Sequence, residues 1–372
     1  MKNNTIGYRP TWAEINLDNL AHNFRQIKRL LLPKTKVMVC IKADAYGHGL
    51  IPVAKKLLSL GVDYFGVASI DEGIRLRQEN IILPILILGP ILKKDIKPLF
   101  RYNLIPSVCT EEIVSALNNK ARSRRKTIKI HIKIDTGMGR FGVLYKDASG
   151  FIEKVHKLKF IDTEGVFTHF PCADTDRNFT LQQIDMFKHL ISKLNKVGIH
   201  IPLFHAANSL GVVNYKESHF NMVRPGLIIY GLYPKKGLKI NLKPVLSLKT
   251  KVIYFKRVPS GYRISYGHTY VTKEYTTIVT LPIGYGDGYP RNLSNKAPVL
   301  IGGRRFKISG RVCMDQVTVD VGNLPVKIGS EVVLIGFQGK DKITAEKLAV
   351  LSDTIPYEIV CGLGSRIPRV YI

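Results

Sequence analysis

Residues Val37-Met-Val-Cys-Ile-Lys42-Ala-Asp-Ala-Tyr46-Gly-His-Gly49 carry an apolar strand directly into a lysine and then into a small, turn-forming segment. A lysine at the end of a buried strand is unfavourable unless its amine is used, because desolvation favours the neutral form. A neutral amine is also the form that makes a Schiff base. From position alone, a lysine that merely reaches solvent at a strand end is the simpler reading. The surroundings of this strand decide what it belongs to.

It is one of eight short apolar or β-branched runs before residue 230, the others being 64–68, 84–89, 105–108, 129–135, 163–169, 203–208 and 221–225. Most are followed by helix-like patterns. Asp18 is placed to cap a helix with Leu20, Phe24, Ile27 and Leu31 on one face, and Leu181, Ile184, Phe187, Ile191 and Leu194 form another stripe that ends near Gly198. Eight strand–helix alternations predict an α/β fold, a (β/α)8 TIM-type barrel, with active residues at the carboxyl ends of its strands. A doubly wound sheet is the rival. After about residue 240 the pattern changes to strands and glycine-rich turns at 246–255, 276–282, 298–301, 305–308, 316–321 and 331–335, which predicts a mostly β C-terminal domain. The expected division is 12–240 and 241–372, with residues 1–11 packing on the second domain.

The 372 residues, 45% of them apolar, suffice for two such domains. The longest greasy run, Ile81–Leu92, is interrupted by Pro84, Gly89 and Pro90 and is too short to span a bilayer. The N-terminus lacks a secretory h-region, and five cysteines form no CxxC pair, so a reducing, cytoplasmic setting without a membrane partner is expected. A formal charge of +28 invites a nucleic-acid reading. The cations look scattered in the sequence, with one dense run at 121–129, so a solvated basic surface and no nucleic-acid partner is the expectation.

The segment Lys42-Ala-Asp-Ala-Tyr46-Gly-His-Gly49 after a strand resembles the pyridoxal-phosphate lysine motif of alanine racemases, and the resemblance runs from about Thr11 to the C-terminus. It implies interconversion of L- and D-alanine on a pyridoxal 5'-phosphate aldimine by two bases, Lys42 and Tyr266, with D-alanine going to peptidoglycan. Tyr266 sits in Ile264-Ser-Tyr266-Gly-His, similar to the family's tyrosine segment. Racemisation needs an acid and a base on opposite faces of a planar centre, and one lysine serves only one face. The resemblance places Tyr266 in the cofactor site of a partner subunit, hence a homodimer with shared sites. Without it, Tyr266 reads as an ordinary sheet tyrosine.

Other matches imply further roles. His169, Asn208, Ser209, Gly226, Leu227, Tyr46 and Tyr357 would bind the cofactor, and Arg224, oriented by His205, would face its ring nitrogen. Arginine cannot give up its proton, so that nitrogen would stay an acceptor and the electron sink would be weak. Arg140 would bind the substrate carboxylate or the cofactor phenolate, Met314 would be part of the carboxylate site, Lys133 would be carbamylated to position Arg140, and Asp174, Tyr285, Arg291 and Arg311 would line the entrance. A decoy overlaps this set: Gly137, Gly139 and Gly142 spell GxGxxG, with Asp162 at roughly ribose-binding spacing. It falls on the fifth strand and its loop is filled by Met138 and Arg140, so it carries little weight. No metal is expected, since no HExxH or Cys/His cluster is present. The competing readings are a broad-specificity racemase, a pyridoxal-phosphate carrier, a decarboxylase of related architecture and a basic nucleic-acid-binding protein.

Overall fold

A computed structural model describes residues 8–372. Eight parallel strands pair in the spatial order Met222–Val223, Lys36–Cys40, Tyr64–Val67, Ile85–Ile87, Ile105–Val108, Ile128–Asp135, Ile161–Phe167 and Leu203–His205. The order around the sheet follows the chain without reversal, which removes the doubly wound alternative. The sheet curls until its first and last strands meet at Asn221. That side chain accepts from Phe204 N–H at 2.7 Å and donates to the Pro202 carbonyl at 2.7 Å, while its own carbonyl accepts from Lys36 N–H. This amide closes the ring together with one backbone bond, Arg224 N–H to the Ala207 carbonyl at 2.9 Å.

The helices sit where apolar periodicity places them, with two differences. Asn16, and not Asp18, caps the first helix, Leu17–Lys28, accepting from Asn19 N–H at 2.7 Å. Asp18 is used instead in an ion pair with Lys56. The helix ends before Leu31, which packs beside the core as part of the connecting loop. The helix Arg177–Lys196 buries Ile184, Phe187, Leu190 and Leu194 against the barrel wall.

The second half is mostly β. Its main sheet runs Arg304–Lys307, Pro298–Ile301, Glu331–Gln338, Leu246–Lys251, Thr11–Ile15 and Arg369–Tyr371. The strand Thr11–Ile15 is therefore built into this sheet, antiparallel to Leu246–Lys251 and parallel to Arg369–Tyr371. Sequence alone put the barrel's start at residue 12, because a strand of alternating character does not say which sheet it joins. Of the segment expected to pack on this domain, residues 1–7 lie outside the described residues, and Arg9 forms an ion pair with the buried Asp287. The run 246–255 is two strands, Leu246–Lys251 and Tyr254–Val258, which belong to different sheets. Two helices, Ala345–Ser352 and Pro356–Cys361, were not foreseen; the second brings Tyr357 and Cys361 back to the barrel.

Candidate active site

Lys42 stands two residues past the end of the strand Lys36–Cys40, at the carboxyl-terminal rim of the barrel. The next residues make an unusual turn: Ala43, Asp44, Ala45 and Tyr46 all have φ between 52° and 54°. Left-handed backbone costs roughly 1 kcal/mol or more for each such residue, so the turn must be held from outside. Glu72 accepts from Ala43 N–H at 2.6 Å and from Ala68 N–H at 2.8 Å. Asp44 accepts from Leu50 N–H at 3.0 Å, and the Gly47 carbonyl accepts from Arg369. The turn leaves both Lys42 and Tyr46 on one cavity.

That cavity, about 160 Å3, is lined by Lys42, Tyr46, Lys133, Arg140, His169, Asn208, Ser209, Arg224, Gly226, Leu227 and Tyr357, every one of which the sequence had singled out. Cys40, Leu88, Phe141 and Phe167 line it too and were missed. Strand alternation puts Cys40 on the face of Lys42 and Phe167 on the face of His169, so a period of two was the available signal.

At one end Ser209 Oγ accepts from Gly226 N–H at 3.0 Å, and a Cβ at Gly226 would stand 2.6 Å from the Tyr46 hydroxyl oxygen. Burial raises the pKa of both tyrosines, that of Tyr46 strongly and that of Tyr357 to about 12, so both hydroxyls stay protonated and able to donate. Hydroxyls and a close glycine backbone make a cradle for an anionic oxygen cluster.

A chain of donors runs behind the cavity. Arg224 is buried, and desolvation brings its guanidinium down only to about 10, so it remains a cation. It donates to Thr168 O at 2.6 Å and Ala206 O at 3.0 Å, and lies 2.7 Å from His205 Nδ1. Arginine only donates, so His205 Nδ1 must accept and Nε2 must carry the proton. His205 Nε2 then donates to His131 Nδ1 at 2.8 Å, and His131 Nε2–H points at Glu164 Oε2 at 3.3 Å. Lys129 Nζ ends the chain on Glu164 Oε1 at 2.6 Å. Every tautomer in this relay follows from one arginine. Burial, reinforced by the cations around them, holds His205 and His169 well below the usual histidine range, so both rings are neutral.

Lys133 is 1% exposed, and its Nζ donates to Ile134 O at 2.9 Å. Burial first, then the charges of Arg224 and Arg140, push its amine down to about 7 despite the opposing pull of Asp135. The GxGxxG loop is occupied by the protein itself: the Asp135 carboxylate accepts from Gly137, Met138 and Gly139 N–H, which leaves no anion nest.

The remaining expected residues are elsewhere. Tyr266, Met314 and Tyr285 are 71%, 54% and 43% exposed on the β half and do not line the cavity. They belong with Arg311 to a second cluster: Ser265 Oγ donates to Arg311 O at 2.8 Å, the Arg311 guanidinium lies against Gly267, and Tyr285 and Gly286 N–H donate to Cys313 O and Met314 O. Arg291 is exposed on the same half. The Asp174 carbonyl takes a hydrogen bond from Lys235. Cys313 contacts Ser265 and no histidine among its hydrogen-bond partners, consistent with a packed thiol.

A parallel barrel with a lysine, a buried arginine and an anion cradle at its carboxyl rim, joined to a mostly antiparallel β domain, defines an α/β-barrel enzyme of the two-domain type. Residues 15–234 match the family model described as alanine racemase, N-terminal domain, and residues 245–371 match that of the alanine racemase C-terminal domain. The alanine racemase of Halothermothrix orenii is 50% identical over 367 residues, covering 98% of this chain and 97% of that one. A solved alanine racemase of Clostridium difficile 630 superposes with a TM-score of 0.92 at 41% identity, covering 98% and 96% of the two chains. One from Bacillus anthracis, solved with bound L-Ala-P, gives 0.92 at 37%, covering 98% and 95%. The chain belongs to the alanine racemase family, and its activity is the racemisation of alanine.

Proposed function

We propose that this racemase works with pyridoxal 5'-phosphate seated at the barrel rim, in a homodimer whose two chains share each site. The observation that carries the proposal is the separation of the two expected bases. Lys42 opens on the cavity, and Tyr266 stands exposed with Met314 on the other half of the chain. A second chain that brings this cluster over the cavity would complete the site.

The residues present fit the cofactor. Ser209, the Gly226 backbone and the Tyr46 and Tyr357 hydroxyls form a cup of donors that suits a phosphate, and a side chain at Gly226 would fill it. Neutral His169 offers a flat face for an aromatic ring, with Asn208 at the same wall. When bound, pyridoxal phosphate supplies the electron sink that acidifies the Cα–H of an amino acid. Lys42 Nζ takes or returns that proton on one face, and the Tyr266 hydroxyl of the other chain does so on the opposite face. Arg224 donates a hydrogen bond without losing its proton, which keeps the sink weak and suits an enzyme that only removes and returns one proton.

Arg140, supported by Lys133, binds the substrate carboxylate, with Met314 contributing from the other chain; Asp174, Tyr285, Arg291 and Arg311 form the approach. A Lys133 amine at about 7 is unprotonated in a substantial fraction of molecules near neutrality. That is the form that adds to carbon dioxide, giving a carbamate anion and releasing one proton, and an anion there offsets the neighbouring arginines. A cytoplasmic enzyme that makes D-alanine for peptidoglycan completes the reading, on the strength of the family. Borohydride treatment of the loaded protein, followed by peptide mapping, should fix the cofactor on Lys42. A label on any other lysine would overturn the assignment.

A further inference from the structure

The cations that look scattered in the sequence are gathered by the fold. In a parallel barrel every loop that runs from a helix into the next strand emerges at one end, opposite the active site. Those loops and the adjoining helix ends are residues 28–36, 59–63, 78–84, 101–104, 120–129, 156–160, 193–202 and 214–221. They hold 16 lysines and arginines against three carboxylates, Asp63, Glu79 and Glu217, and two further carboxylates, Asp162 and Glu164, stand beside Lys129 on the neighbouring strand. Among the described residues only Lys129 of these cations is in an ion pair.

Helix dipoles account for part of this, since cations are favoured in a helix's last turn. They do not account for Lys34, Lys36, Arg125, Lys126 and Lys159, which lie outside those turns and are all exposed. Four of the cations lie over aromatic rings: Lys36 over Tyr64, Arg101 over Tyr102, Arg124 over Phe100 and Lys159 over Phe160, at 5.3–5.9 Å from the ring centres. Such contacts fix a charge in place without neutralising it. Three exposed apolar side chains stand among them, Leu32 at 73%, Ile82 at 85% and Val197 at 55%, each in a different loop.

We propose that this end of the barrel is a docking face for an anionic membrane surface, the cations meeting lipid headgroups and Leu32, Ile82 and Val197 entering the interface. The chain lies on the membrane and does not span it; among the described residues no helix is long and apolar enough to cross. A nucleic acid fits less well. The exposed aromatic side chains from which base stacking would draw are Tyr8 and residues of the β half, and none is in these loops. The face points away from the rim where the second chain is proposed to sit, so docking and catalysis are compatible.

The test is co-sedimentation of the full-length, cofactor-loaded enzyme with vesicles of phosphatidylcholine, with and without phosphatidylglycerol. Binding is expected only with phosphatidylglycerol, falling as salt rises. The triple variant Arg124→Gln/Arg125→Gln/Lys126→Gln should bind about 100-fold more weakly, at roughly fivefold for each charge removed near the surface. Ile82→Asp should weaken binding with racemase turnover unchanged. A charge-matched control, Lys307→Gln/Lys327→Gln/Lys340→Gln on the β half, should bind as the parent does. Absence of binding at low salt, equal weakening by the control, or displacement from vesicles by polyuridylate at matched charge would each overturn the proposal.

Discussion

Arg224 shows how far one side chain's chemistry reaches. Because it cannot accept a hydrogen bond, it dictates the protonation of His205 and His131 and leaves Glu164 as the acceptor at the far end. His131 and Lys129 together hold the Glu164 carboxyl at about 2, outweighing the burial that would raise it. A lowered carboxylate stabilises the fold fully above its unfolded value near 4.5, and that contribution is lost as pH falls from about 4.5 toward 2. Glu164→Gln keeps an acceptor for His131 and removes the titration. Stability measured by chemical unfolding should therefore fall less steeply for the variant than for the parent over that window, by at most about 3 kcal/mol. Parallel curves would show that the carboxylate is unperturbed. Lys133 has the opposite character, a buried amine whose cationic form is opposed by burial and by two arginines. In buffer free of carbon dioxide, Lys133→Met should raise stability at neutral pH, where the buried amine is costly to protonate; in bicarbonate, where the carbamate is lost with the lysine, it should weaken alanine binding, seen as a raised KM in a racemisation assay.

At the scale of elements, the left-handed turn at 43–46 depends on Gly47. That residue has φ of 78°, and a Cβ there would stand 2.2 Å from the Val360 carbonyl in the helix Pro356–Cys361. Gly47→Ala should cost several kcal/mol, from the left-handed backbone and the forced separation of that helix. Since the same helix carries Tyr357, cofactor affinity read from visible absorbance should fall with the melting temperature. A folded variant with unaltered absorbance would show the turn to be indifferent to this contact. The strands were legible in the sequence because most barrel strands are apolar or alternate apolar with polar residues and are bounded by turn residues. The turn at 43–46 was not legible. Nothing in Ala-Asp-Ala-Tyr announces left-handed backbone, and the fold imposes it through Glu72, Arg369 and the neighbouring helix.

On the scale of the whole molecule, the distance between Lys42's cavity and the exposed Tyr266 cluster makes subunit sharing directly measurable. Lys42→Ala and Tyr266→Phe should each be nearly inactive. Co-refolded in equal amounts they should regain about one quarter of parental activity, because half the dimers are mixed and each mixed dimer has one intact site. No recovery in demonstrably mixed dimers would place both bases in one chain. The number of barrel strands was legible in the sequence, since hydrophobic period acts over a few residues, and Lys42, His169, Ser209, Arg224 and Tyr357 were singled out there by their resemblance to a family's motifs. Tertiary structure alone decided which sheet takes Thr11–Ile15, how Asn221 closes the ring, and how the Arg224 relay sets its tautomers. It also decided that scattered cations share one face. Each of these depends on groups far apart in the chain meeting at hydrogen-bonding or Coulombic distance, which only the packed fold specifies.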